Sequence, residues 1–204
     1  MTKPIPALKR RTRINFQMSA PLYSTHLYTR IQEQQPRVGI SACLIGENVR
    51  YDGANKHHAL IQQEIAPWLH LESICPEVEA GLGIPRPPVQ LIKKPEGICA
   101  LGVEDKTLNV TKALTNASKR LASSRCNNFC AYIVKARSPS CGSGSTPIYD
   151  ITGKQLVGDG LFVAALKKAL PHLIIVEESH FSDIQACSNF VEKCYRLHKK
   201  IGEN

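Results

Sequence analysis

Val38-Gly39-Ile40-Ser41-Ala42-Cys43-Leu44-Ile45-Gly46 sets a short apolar run directly ahead of a turn that carries a cysteine. A run this brief and this apolar suits a central parallel strand, buried on both faces. Leu71–Ile74, Ala131–Val134 and Leu173–Val176 have the same character. Helical periodicity fills the gaps between them. His57–Leu69 carries Leu60, Ile61, Ile65 and Leu69, and Thr111–Phe129 places Ala113, Leu114, Ala117, Leu121 and Ala122 on one face. Leu161–Leu170 is rich in Ala, Leu and Lys, and Asp183–His198 aligns Ile184, Cys187, Phe190, Val191 and Cys194 on a stripe. This alternation predicts an α/β fold: a small doubly wound, mostly parallel sheet of about four to five strands with flanking helices.

Two stretches depart from the rhythm. Gly81–Asn109 holds Pro85, Pro87, Pro88 and Pro95, which predicts an ordered, extended loop with Leu91–Lys93 and Val103–Val110 as its short strands. Gly158-Asp159-Gly160, just ahead of Leu161, predicts Asp159 as a helix N-cap.

The 204 residues suffice for one domain with a core, and 43% apolar with 21% charged residues is a globular balance. No apolar run is long enough to span a membrane, and none marks a secretory segment. Residues 1–37 hold Lys3, Lys9, Arg10, Arg11, Arg13, Arg30 and Arg37 against Glu33 alone, which is most of the net charge of +9. Residues 1–36 are therefore expected to be a basic, flexible extension, and residues 37–204 a single α/β domain closed by a C-terminal helix. Such an extension is a candidate for weak contact with RNA or another acidic surface. The eight cysteines suggest a disulfide scaffold only in a small secreted domain. The expectation here is a cytoplasmic chain with reduced thiols.

Chemistry in an open α/β sheet collects beyond the carboxyl ends of the strands. Cys43 follows the first strand, Cys75-Pro76-Glu77 follows the second, and Lys135-Ala136-Arg137-Ser138-Pro139-Ser140-Cys141-Gly142 follows the third. Three strands thus each deliver one cysteine to the same sheet edge. Spacings of 32 and 66 residues do not form the close pairs of a structural zinc site. Three such thiolates can bind a cluster, bind another metal, or bind none. Glu77 is a candidate general acid or base. Ser138 and Ser140 are candidates to relay a proton or to cap backbone amides. Lys135 and Arg137 can hold an anion, and Arg50, Tyr51 and Lys56 belong near the edge of the same site. Cys126 with Cys130, and Cys187 with Cys194, read as packing residues rather than metal pairs.

The run from Val38 through Cys43 to Arg50-Tyr51-Asp52-Gly53 resembles the start of the thiouracil desulfidase (TudS-like) family, long catalogued as a domain of unknown function. Cys75-Pro76-Glu77-Val78 with Gly81-Leu82, Pro85-Arg86-Pro87-Pro88, and Lys135–Gly142 resemble it as well, as does Gly158-Asp159-Gly160. The resemblance covers roughly Arg37 to Val176. It implies a 4Fe–4S cluster held by three cysteines, here Cys43, Cys75 and Cys141. One iron would stay open to take sulfur from a thiolated pyrimidine, giving uracil and hydrosulfide without net redox change. It also implies a carboxylate and a serine beside the cluster, at Glu77 and one of Ser138 or Ser140. Tyr51, Lys135 and Arg137 are candidates to hold the substrate ring. The chain departs from the family pattern in its N-terminal extension, a shorter loop between the first two cysteines, and five further cysteines. Two other classes stay open: an RNA-associated sulfur-transfer or binding module, and a zinc-stabilised domain without catalysis.

Overall fold

The structure, a computed structural model, describes residues 35–202. Four strands form one parallel sheet: β1 (Arg37–Ser41), β2 (His70–Ile74), β5 (Ala131–Val134) and β8 (Ile174–Glu177). Their spatial order is β2-β1-β5-β8. Val38 pairs with Leu71 on one side and Ala131 on the other, and Ile133 pairs with Val176. All four strands therefore end at one edge.

The pleat divides the core in two. Val38, Ile40, Ala131 and Ile133 face one side, where Phe190, Val191 and Cys194 of helix α4 (Ile184–Gly202) cover them. Tyr132 and Val134 face the other, against Leu121 of α2 (Thr111–Ser124) and Phe162, Val163 and Leu166 of α3 (Leu161–Ala169). Burial of each Val, Ile, Leu or Phe among them contributes about 1.5–3 kcal/mol. On α2 the buried residues Leu114, Ala117, Ser118, Leu121 and Ala122 recur at helical spacing. Asp183 caps α4 by accepting the Ala186 amide at 2.8 Å.

A second sheet stands apart, in the order β4-β3-β6-β7. Its strands are β3 (Val89–Lys94), β4 (Gly97–Gly102), β6 (Thr146–Tyr149) and β7 (Gln155–Gly158). The hairpin expected within Gly81–Asn109 exists, but its second strand is Gly97–Gly102 rather than Val103–Val110. The chain turns tightly at Pro95-Glu96, and Gly97, with a positive φ of 130°, already pairs with Lys94, so the return strand begins earlier. Beyond it, Asp105 accepts the Thr107 amide and hydroxyl and folds the expected strand into a turn.

Two other expectations are corrected. The region His57–Leu69 is helical only in part: residues 59–65 are helical, and Ile61–Ile65 of them form a wide π turn. Lys56 and His58 donate their amides to the Cys43 and Leu44 carbonyls, which holds the segment against the first cysteine turn. Asp159 does not cap α3. Gly160 is the N-cap, and Asp159 accepts the Gly144 amide and pairs with Lys167. The proposed extension falls on residues 1–36, of which 1–34 lie outside the described residues. No helix among the described residues is long and apolar enough to cross a membrane.

Candidate active site

A cavity of about 420 Å³ lies at the carboxyl edge of the parallel sheet. Cys43, Cys75 and Cys141 all line it, together with Glu77, Ser138, Tyr51, Lys135 and Arg137. Each cysteine arrives on a different structure. Cys43 sits in the 3-10 turn Ala42–Ile45 after β1. Cys75 follows β2 and is the N-cap residue of the single turn α1 (Pro76–Glu79). Cys141 closes the loop that leaves β5.

The loop from Lys135 to Ser145 is built to hold Cys141 in place. Ser138 Oγ accepts the amides of Ser140 (3.2 Å) and Cys141 (3.1 Å), and the Ser138 carbonyl accepts from Gly142 and Thr146. Leu161 and Phe162 at the start of α3 donate their amides to Pro139 and Ser140 carbonyls, each at 3.0 Å. The cysteine loop is thus the cap of the helix. Gly160 permits this approach, because a methyl group there would overlap the Ser140 backbone. Arg137 takes a φ of 60°, a left-handed conformation rare for a residue with a side chain.

Two carboxylates from the end of β8 complete the support. Glu177 accepts the Ser143 amide at 2.7 Å and the Ser145 hydroxyl. Glu178 pairs with Lys135 and accepts the Ala136 amide at 2.6 Å. The Lys135 ammonium therefore lines the cavity already committed to a carboxylate. Neither Glu177 nor Glu178 was singled out from sequence, though both follow the fourth strand directly, as the cysteines follow the other three.

Glu77 is nearly buried, at 9% exposure. Arg86 donates to Glu77 Oε2 through Nε (2.8 Å) and forms an ion pair at 2.7 Å. Ser140, itself buried, donates its hydroxyl to Glu77 Oε1 at 2.9 Å. Arg86 also donates to the Gly83 and Val49 carbonyls, so its guanidinium is fixed on every side. In the sequence Arg86 stands within Pro85-Arg86-Pro87-Pro88, and nothing in the spacing signals its ion pair with Glu77 across the proline-rich loop. The structure separates the two serines. Ser138 lines the cavity, while Ser140 lies behind Glu77 and does not.

Electrostatics tie the three thiols together. Burial, then Cys75, pushes the Cys43 thiol up to about 11, against the pull of Arg50 and Lys135. Burial also raises Cys75; the amides of Glu77 and Val78 favour its thiolate without closing a hydrogen bond to the sulfur, and Arg86 pulls the same way. Cys141 is held well above the ordinary thiol value, first by burial, with Cys75 and Cys43 adding to it and a hydrogen bond with Ser41 opposing it. The three sulfurs feel one another, and cations stand ready to offset their charge. A cofactor that takes one thiolate from each of three walls fits this donor set. Among the described residues, no three His, Cys, Asp or Glu side chains gather round a single ion.

The other cysteines lie elsewhere. Cys126 is buried beyond the end of α2 on one side of the sheet, and Cys130, Cys187 and Cys194 are buried on the other. Cys130 donates its thiol to the Arg37 carbonyl at 3.4 Å and shares a buried cluster with Cys194. Cys99 is half-buried on β4. At the cavity mouth, Tyr51 is 42% exposed beneath the Arg50 guanidinium, and Arg50 pairs with Asp52. Lys56 and Arg137 are exposed there, with no ion pair to either among the described residues.

Comparison with known proteins adds three findings. The sequence profile described as 2-thiouracil desulfurase matches residues 38–178. The uncharacterized protein YbbK of Bacillus subtilis (strain 168) is 30% identical over 158 residues, spanning 71% of this chain and 97% of that protein. A solved structure, the [4Fe-4S]-dependent thiouracil desulfidase TudS, superposes with a TM-score of 0.58 at 28% identity. The match covers 76% of this chain and 99% of that one.

Proposed function

The chain belongs to the 2-thiouracil desulfurase family, and on that premise we propose that it is an iron–sulfur-dependent desulfidase of thiouracil-type pyrimidines. The overall reaction joins water to a thiocarbonyl: thiouracil and water give uracil and hydrogen sulfide, with no net electron transfer. One observation carries the reading. Three thiols from three separate strand ends share one cavity with a nearly buried carboxylate.

Cys43, Cys75 and Cys141 would hold a 4Fe–4S cluster through three of its irons. When bound, that group supplies an iron corner without a protein ligand, a Lewis acid for the substrate sulfur. Donors spread over three walls suit a cluster, whose thiolates attach at separate corners. A lone zinc ion wants about four donors around one point. This favours the desulfidase over the zinc-stabilised alternative.

The protein side chains divide the remaining work. A carboxylate offers about four lone-pair sites. Two contacts from Arg86 and one from Ser140 engage Glu77, and a site on Oε1 is left for a water molecule in the cavity. Glu77 then accepts a proton as that water attacks the ring carbon. Ser140 and Arg86 fix its orientation. Ser138 differs from Ser140 in what its oxygen has left to give. Both acceptor sites of Ser138 Oγ are taken by amides, so its O–H is free to donate toward substrate. Tyr51 and Arg137 flank the entrance, where a flat ring and its carbonyl can be held. Lys135, tied to Glu178, contributes charge rather than a free donor.

Glu77→Gln tests the assignment. The variant is expected to load its cluster like the wild type, by colour and iron content, and to desulfurise 2-thiouracil about a hundredfold slower or worse. A fully active Glu77→Gln protein contradicts the proposed base.

A further inference from the structure

Arg86 stands between Pro85 and Pro87-Pro88, and prolines carry no N–H. The segment Pro85–Pro88 therefore has a single amide to give, and Arg86 gives it to the Tyr51 carbonyl at 2.9 Å. The side chain, only 5% exposed, reaches further walls of the cavity. One terminal nitrogen donates to the Val49 carbonyl at 2.9 Å and the other to the Gly83 carbonyl at 2.8 Å, while Nε meets Glu77 at 2.8 Å. Pairing with Glu77 needs a cation there. It does not need one that also holds Val49 and Tyr51, and those two contacts are the unexplained part.

Val49 and Tyr51 belong to a strap that borders the cavity after the first cysteine turn. The ends of the strap are tied down independently of Arg86. The Lys56 amide donates to the Cys43 carbonyl at 2.8 Å, and the Asn55 side chain donates to Asn48 at 2.7 Å. The tip closes only on itself. Gly53 donates to the Arg50 carbonyl at 3.0 Å, Arg50 to the Ala54 carbonyl at 3.2 Å, and Asp52 accepts from Arg50 and Ala54. Among the described residues, the hydrogen bonds that reach Val49–Gly53 from the opposite wall come from Arg86 and from the Cys75 thiol, which donates to the Val49 carbonyl at 3.7 Å. A thiol is a weak donor, whereas a guanidinium is a charged and planar one. We propose that Arg86 is a positioning residue for the substrate ring, pinning the tip of the strap so that Tyr51 keeps a fixed place relative to Glu77. One guanidinium then sets both the platform for the ring and the base. The role rests on the function proposed above and adds to it a residue for substrate affinity, separate from the group that takes the proton.

Arg86→Lys separates the two duties. An ammonium keeps a positive charge beside Glu77 but lacks the planar fork that spans the Val49 and Gly83 carbonyls as well. In protein loaded without oxygen, hydrogen–deuterium exchange of residues 50–54 is expected to run about tenfold faster than in the wild type. KM for 2-thiouracil is expected to rise about tenfold with kcat within about threefold, at wild-type iron content. Glu77→Gln, which leaves Arg86 an acceptor, is expected to keep the slow exchange. An Arg86→Lys protein with wild-type exchange and KM overturns the assignment. So does one that loses kcat while KM and exchange stay put, which would confine Arg86 to Glu77. A Glu77→Gln protein as loose in the strap as Arg86→Lys overturns it too, by making the carboxylate the anchor. If Arg86→Lys does not fold, the wild type decides: its Arg86 amide is expected to exchange at least about a hundredfold slower than an open-chain amide, and open-chain exchange there refutes the role. A loaded wild type that leaves 2-thiouracil intact sinks the desulfidase reading and this role together. An active wild type beside an unaltered Arg86→Lys protein sinks this role alone.

Discussion

The buried thiol of Cys43 shows how a single residue couples the fold to its cofactor. In the metal-free protein its pKa stands at about 11 against an ordinary 9.0, chiefly because burial disfavours the charge. The folded state thus holds the proton more tightly than the unfolded chain. The stabilisation is fully present below pH 9 and is lost as pH rises from there toward 11. Denaturant midpoints of the metal-free protein should fall across that window, and fall less in Cys43→Ala; parallel slopes would contradict the assignment. Metal binding must expel this proton, so loading should release acid. The cysteines and Glu77 were legible as candidates because each lies on the segment that leaves a parallel strand, Cys141 the furthest along its loop. Arg86 was not. Its reach to Glu77 depends on how a proline-rich loop folds back, and nothing in residue spacing specifies that path. The two serines on either side of Pro139 are alike in sequence, yet Ser138 lines the cavity and Ser140 bonds to Glu77 behind it.

At the level of elements, the site depends on the contact between the cysteine loop and α3. The helix has no side-chain cap; the loop carbonyls of Pro139 and Ser140 replace one. Gly160→Ala would drive a methyl group into the Ser140 backbone. The expected cost is about 1–3 kcal/mol of stability, with weaker cluster retention because Cys141 is the next residue along. A Gly160→Ala protein with unchanged melting and iron content would show that the loop is not held there. The parallel strands were legible from their short apolar runs set between helical stretches, although only β1 and β5 are buried on both faces and the edge strands β2 and β8 are half-buried. The second sheet was not. Thr146–Tyr149 contains Pro147, and Gln155–Gly158 alternates exposed and half-buried positions, so neither resembles a core strand. The helix expected at His57–Leu69 failed for a different reason. Tertiary hydrogen bonds from Lys56 and His58 to the Cys43 and Leu44 carbonyls hold the start of the segment extended and confine the helix to residues 59–65.

Across the whole molecule, one sheet edge gathers what four strands carry: a cysteine after each of β1, β2 and β5, and the Glu177–Glu178 pair at the end of β8. Every described residue that lines the cavity lies between Ser41 and Cys141. Removing residues 1–34 should therefore leave turnover of free 2-thiouracil close to the full-length rate. A large loss would place part of the active site in the basic segment. If that segment recruits RNA, the truncated protein should instead lose salt-sensitive RNA affinity. The central claim is that three distant cysteines share one cofactor, and the most direct measurement is iron and acid-labile sulfide per chain in protein purified without oxygen. The expected result is about four of each, with an iron–sulfur absorption spectrum, falling away in Cys43→Ala, Cys75→Ala and Cys141→Ala alike. Zinc in place of iron, or an intact cluster in any of those three variants, would contradict the account.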